Sequence, residues 1–108
     1  MEVQPQNLVL YETPDGKCPW LGWFNALKDG KAQAAIDARL LRLQRGNFGD
    51  SKVIGAGVWE LRVHFGPGYR IYFGRDGDAF VVLLCAGTKR SQKRDIDRAL
   101  AYWNDYLS

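Results

Sequence analysis

Val58-Trp59-Glu60-Leu61-Arg62-Val63-His64-Phe65-Gly66-Pro67-Gly68-Tyr69-Arg70-Ile71-Tyr72-Phe73 is the stretch that decides the fold. Trp59, Leu61, Val63 and Phe65 alternate with Glu60, Arg62 and His64, and a period of two marks a half-buried strand. Gly66-Pro67-Gly68 is a turn. The alternation then resumes, with Tyr69, Ile71 and Phe73 inward and Arg70 and Tyr72 outward. Arg75-Asp76-Gly77-Asp78 is a second hairpin signal. Phe80–Cys85 is apolar throughout, as a central strand should be, and Gly87 is expected to interrupt it. Three successive strands joined by tight turns predict an antiparallel meander.

Toward the N-terminus the period changes. Asn7–Tyr11 reads as a first strand, and Thr13-Pro14-Asp15-Gly16 as a turn. Pro19 suits the first position of a helix, where its missing N–H costs nothing. Trp20, Trp23, Phe24 and Leu27 then form one apolar stripe. Asp29-Gly30 breaks that helix. A second begins near Lys31, buries Ala32, Ile36, Leu40 and Leu43, leaves Lys31, Arg39, Arg42 and Arg45 mostly outside, and ends at Gly46-Asn47. Their short connection predicts an antiparallel helical hairpin. Toward the C-terminus, Ser91 is the expected N-cap of a last helix that buries Ile96, Leu100, Trp103 and Leu107. The predicted fold is α+β: a twisted antiparallel sheet with the helical hairpin on one face and a C-terminal helix.

The 108 residues are expected to form one domain (1–108), with residues 1–6 as a flexible tail. A hydrophobic share of 46% and a charged share of 25% exclude a disordered or fibrous chain. The longest apolar run, Ala79–Ala86, is far short of the ~18–20 residues of a membrane span, so no membrane partner is expected. Met1-Glu2-Val3-Gln4-Pro5 has neither the basic nor the apolar region of a secretory leader. Cys18 and Cys85 are too few for a disulfide framework, and Cys85 lies in an apolar run where a free buried thiol is expected. A reducing cytoplasm fits these features. One histidine and two distant cysteines offer no metal-ligand spacing, so no metal or cofactor is expected.

Charge is divided unevenly. Residues 1–38 carry three basic and five acidic side chains, whereas residues 39–108 carry twelve basic and seven acidic. A basic half on a small domain suggests an anionic partner. The polar positions of the meander, Glu60, Arg62, His64, Arg70 and Tyr72, form the candidate site, flanked by Lys52 before it and Lys89 and Arg90 after it. Directly opposed side chains of antiparallel strands lie ~4.5–5.5 Å apart at Cβ. The hairpin brings Arg62 and His64 near Arg70 and Tyr72, and two adjacent arginines need a compensating anion, either Glu60 or a ligand. An exposed face laced by salt bridges explains the same pattern without a ligand.

Leu43-x-x-Gly46-Asn47-x-Gly49-Asp50, Gly55-x-Gly57-Val58-x-Glu60-Leu61-Arg62, Gly66-Pro67-Gly68-Tyr69-Arg70-Ile71-Tyr72-Phe73 and Leu83-Leu84-Cys85-x-Gly87-x-Lys89-x-Ser91-Gln92-x-x-Asp95-Ile96 occur in this order. Together they resemble the HigB-like addiction module killer proteins of the RelE/ParE toxin superfamily, from about Leu8 to Leu107. The resemblance implies a twisted antiparallel sheet with two N-terminal helices. It also implies a toxin encoded beside a helix-turn-helix antitoxin, with operator DNA reached only through the complex of the two. Many members are ribosome-dependent endoribonucleases that cut mRNA.

The chemistry so implied needs no metal: the ribose 2′-OH attacks the adjacent phosphate and expels the 5′-oxygen. The resemblance places Arg70 on the scissile phosphate, Arg62 beside it and Lys89 at a position often basic in the superfamily. Tyr72 is assigned a stacking or positioning role by geometry, and Lys52, Arg90 and Lys93 are expected to bind nucleic acid. Ribonucleases of the superfamily carry two lysines on the strand that here reads Val58-Trp59-Glu60-Leu61, and a tyrosine where this chain has Arg94-Asp95-Ile96. The general acid and base are therefore open between Glu60 and His64. Two further readings follow: a non-catalytic inhibitor of DNA gyrase, as ParE members are, and a degenerate homologue that only binds its antitoxin.

Overall fold

A computed structural model describes residues 4–108. The elements run β1 (Asn7–Leu10), α1 (Pro19–Ala26), α2 (Gly30–Gln44), β2 (Ser51–Gly55), β3 (Val58–Val63), β4 (Tyr69–Asp76), β5 (Phe80–Thr88), a 3₁₀ turn (Lys89–Ser91) and α3 (Gln92–Leu107). Of the expected tail, residues 1–3 lie outside the described residues. Gln6 is buried, its backbone N–H donating to Gln44 O at 2.8 Å and its side chain to Asp78 O at 2.8 Å.

Local chemistry explains most boundaries. Pro19 opens α1. Asp29 does more than break the first helix: its carboxylate accepts the Lys31 and Ala32 N–H groups and caps α2. At the other end Gly46 adopts φ +89°, Asn47 N–H reaches Arg42 O at 2.9 Å and Gly46 N–H reaches Leu43 O at 2.9 Å, closing α2 with a Schellman motif.

The sheet order is β1-β5-β4-β3-β2. The meander is antiparallel as expected, but β1 pairs parallel to β5, so the sheet is mixed. Strand β2 was not anticipated; Lys52, which precedes the Val58–Val63 strand as expected, lies within it. Strand β5 also runs through Gly87 to Thr88, because Gly87 is a point of close approach and not a break.

The sheet carries cores on both faces. Trp20, Ala32, Ile36, Leu40 and Leu43 of α1 and α2 pack on Leu61, Val63, Ile71, Phe73 and Leu83. Both helices lie on the sheet, α1 against β5 and α2 against β3, and Gln33 Nε2 of α2 donates to Phe24 O and Leu27 O at the end of α1. On the opposite face, Val58, Tyr72, Val82, Leu84 and Cys85 lie under Ala99 and Trp103 of α3. The buried line of α3 is Asp95, Ala99 and Trp103; Ile96 and Leu100 flank it and Leu107 is exposed. Ser91 makes no side-chain cap to α3; it closes a capping box with Thr88 across the 3₁₀ turn. No helix among the described residues is long and apolar enough to cross a membrane.

Candidate functional site

Strand register lines up the polar residues of the meander in rows. Lys52, Glu60, Tyr72 and Cys85 are successive cross-strand partners, and Arg62, Arg70 and Gly87 form the next row. Arg62 and Arg70 are thus directly opposed, and the anion that compensates them is Glu60. Its Oε1 accepts from Arg62 Nε at 3.3 Å and Arg70 Nη1 at 3.0 Å, with Lys52 Nζ at 3.9 Å. Its Oε2 accepts from the Tyr72 hydroxyl at 2.9 Å and from Gln92 Nε2 at 2.9 Å. Gln92 belongs to α3, so that helix ties the carboxylate down from above.

This arrangement corrects two expectations. The Glu60 side chain is 0% exposed and both oxygens are occupied, so it is no accessible proton acceptor. Burial pushes its pKa up, but hydrogen bonds from Gln92, Tyr72 and Arg62 and the charge of Arg70 outweigh burial and hold it below the usual carboxylate range. Tyr72 is likewise 0% exposed, so its ring cannot stack on a ligand base. Burial, together with the hydrogen bond to Glu60, raises the phenol pKa far above its ordinary value. Tyr72 and Glu60 hold the arginines in place. Each guanidinium gives one nitrogen to Glu60, and with Arg62 35% and Arg70 14% exposed at the side chain both line one cleft.

His64 lies beyond the end of β3, with its side chain 75% exposed and its Nε2 bonded to the Asp50 carboxylate. The hydrogen bond from His64 holds Asp50 below the usual carboxylate range, against a small effect of burial. An ionised carboxylate only accepts, so Nε2 carries the proton and Nδ1 is the nitrogen able to take one. Arg62, His64, Tyr69 and Arg70 line a small cleft together. Lys89 is brought to the same end of the sheet, its backbone N–H donating to Gly68 O at 3.2 Å. Lys52 reaches the site through Glu60.

Arg90 and Lys93 do not join this cleft. With Arg94 they line a separate groove of about 740 Å³ beside Thr88, Ser91 and Asp97 at the start of α3. Lys89, Arg90, Lys93 and Arg94 cluster along the chain at the positive end of that helix, a placement the helix dipole disfavours, and Asp95 is the acidic residue of its first turn.

Several contributors were missed in the sequence. Gln92 is a site residue, and its only sequence signal was its place in a motif. Asp95 is buried on α3, accepts from Ser91 Oγ and occupies the space a Gly87 side chain would need, which ties the start of α3 to the sheet. Arg39, read as lying outside the helical face, is buried. Cys85 is a free buried thiol, as expected, with burial pushing its pKa up to about 12.

Residues 22–103 match the family described as "Phage derived protein Gp49-like (DUF891)". The chain is also similar to an uncharacterized protein of Haemophilus influenzae, 47% identical over 77 residues that span 71% of this chain and 78% of the relative. The family is of RelE/HigB toxin-like type, consistent with the toxin of a toxin–antitoxin module and with an antitoxin as its partner. The chain therefore belongs to the Gp49-like family of phage-derived proteins.

Proposed function

We propose that this protein is a toxin that cuts mRNA on the ribosome without a metal, neutralised by a helix-turn-helix antitoxin and acting in the cytoplasm. The observation that carries the reading is the directly opposed Arg62–Arg70 pair, held by one buried carboxylate and lining one cleft. In the proposed reaction the 2′-OH attacks the adjacent phosphorus in line, charge gathers on the phosphorane oxygens, and the P–O5′ bond breaks to leave a 2′,3′-cyclic phosphate. Planar, permanently charged forks suit that charge, and Glu60 preorganises them before substrate arrives. His64, oriented by Asp50, takes the 2′-OH proton at Nδ1, and the departing 5′-oxygen takes its proton from water. Lys89 and Lys52 add positive potential at the edge of the cleft.

A non-catalytic toxin directed at gyrase, or a homologue that only binds its antitoxin, is the second reading. It is favoured by Glu60 and Tyr72 being closed to substrate, which leaves one exposed proton-transfer candidate, His64. Inducible expression in bacteria lacking the antitoxin, beside Arg70→Ala, separates these readings. Growth arrest with new mRNA 5′ ends that vanish in Arg70→Ala is the expected result. Arrest without cuts, or cuts that survive Arg70→Ala, would overturn it.

A further inference from the structure

A second groove, about 440 Å³, opens between α2 and the end of β3, lined by Arg39, Arg42, Asn47, Gly49, Arg62 and His64. Arg39 forms its floor and is only 8% exposed. Its Nη2 donates to Phe48 O at 3.1 Å, but its Nη1 is buried without a partner. The guanidinium occupies the space a side chain at position 49 would need, and Gly49 has φ +56°, so glycine makes the cradle. Asp50 lines the same groove but is already bonded to His64, and among the described residues neither Arg39 nor Arg42 forms an ion pair. A buried donor without an acceptor is costly, and a cation among cations more so. An anion with oxygens able to accept from a guanidinium fork would satisfy that donor. Arg62, Val63 and His64 line this groove and the Arg62–Arg70 cleft alike, so the two are neighbours.

From this geometry we infer that the Arg39–Arg42 groove is a second phosphate subsite, which holds a backbone phosphate of the same RNA strand on the other side of His64 from the Arg62–Arg70 cleft. The inference rests on the RNA reading above. A phosphodiester presents paired oxygens to a guanidinium fork, and two subsites flanking His64 would stretch the strand across it. The subsite would serve affinity and register rather than bond cleavage.

The test uses 2′-O-methyl RNA, which cannot be cut through the 2′-OH, as a dinucleotide and as a hexanucleotide. Binding to the full chain is followed by fluorescence anisotropy across a salt series, with Arg42→Gln, Arg39→Met and Arg70→Ala. The expected result is a several-fold weaker hexanucleotide complex in Arg42→Gln and Arg39→Met, its salt slope shallower by about 0.7 per lost phosphate contact, with dinucleotide binding unchanged. Arg42 is exposed, so Arg42→Gln keeps the test decisive should Arg39→Met fail to fold. Equal loss for both lengths, or loss for neither, overturns the subsite. Wild-type protein that binds neither RNA overturns the RNA reading itself. Binding of both RNAs that weakens only in Arg70→Ala leaves that reading standing and removes the subsite. Stronger Arg42-dependent binding of an oligoglutamate peptide than of the hexanucleotide would make the groove a protein-docking site and overturn the inference.

Discussion

Arg62 and Arg70 are direct cross-strand partners on β3 and β4, and both hydrogen-bond the same oxygen of Glu60. Like charges placed opposite one another destabilise a sheet. One buried carboxylate converts the repulsion into a fixed pair of forks. The site is therefore also a stability element, and changes in it act on both properties.

Glu60→Gln removes the charge while nearly preserving the shape. It leaves two arginines facing each other and is expected to cost about 3–5 kcal/mol, the usual penalty for breaking a buried pair. A lower urea midpoint with an unchanged m-value would report it. A loss under 1 kcal/mol would mean that solvent, and not Glu60, compensates the pair.

The same group sets an acid limb. Glu60 titrates lower in the native protein than in the unfolded chain, where a glutamate sits near ~4.3. Its stabilisation is thus fully present above that unfolded value and drains away as pH falls through the native one. Urea midpoints measured downward from pH 6 should fall in the wild type and fall less steeply in Glu60→Gln.

Tyr72→Phe keeps the buried ring and deletes the hydroxyl that donates to Glu60. About 1.5–3 kcal/mol of stability should be lost, the range for a hydrogen bond to a charged group. RNA cleavage per folded molecule should fall little, since the ring meets no substrate. Cleavage abolished in a fully folded variant would restore a direct role for Tyr72.

His64→Ala should do the reverse. The residue is exposed, so melting should barely move, while cleavage should drop by about 10²–10⁴-fold if it transfers the proton. Unchanged cleavage would remove His64 from the mechanism.

Gly87→Ala places a methyl group against the Asp95 carboxylate and Ser91 Oγ. Overpacking of this kind costs about 1–3 kcal/mol. A shift of Gln92 away from Glu60 should accompany it, read as a weakening of the Arg62–Arg70 site beyond the loss of folded protein.

By itself the sequence determined what depends on neighbours along the chain. Alternation from Trp59 to Phe73 and the turn chemistry of Gly66-Pro67-Gly68 and Asp76-Gly77 specify the meander, and Arg62 falls opposite Arg70 as the hairpin required. Pro19, the α2 stripe and Gly46 mark the helices by the same local rules. Tertiary structure decided which polar positions meet solvent. Periodicity separates two faces of a strand but does not say what will cover the second one. Here α3, a distant element, lands on it, so Glu60 and Tyr72 become buried supports and Gln92 and Asp95 become their partners. The parallel seat of β1 beside β5 and the burial of Arg39 beside Gly49 have the same origin. Each is a contact between residues far apart or across a bend in the chain, and no local pattern encodes it.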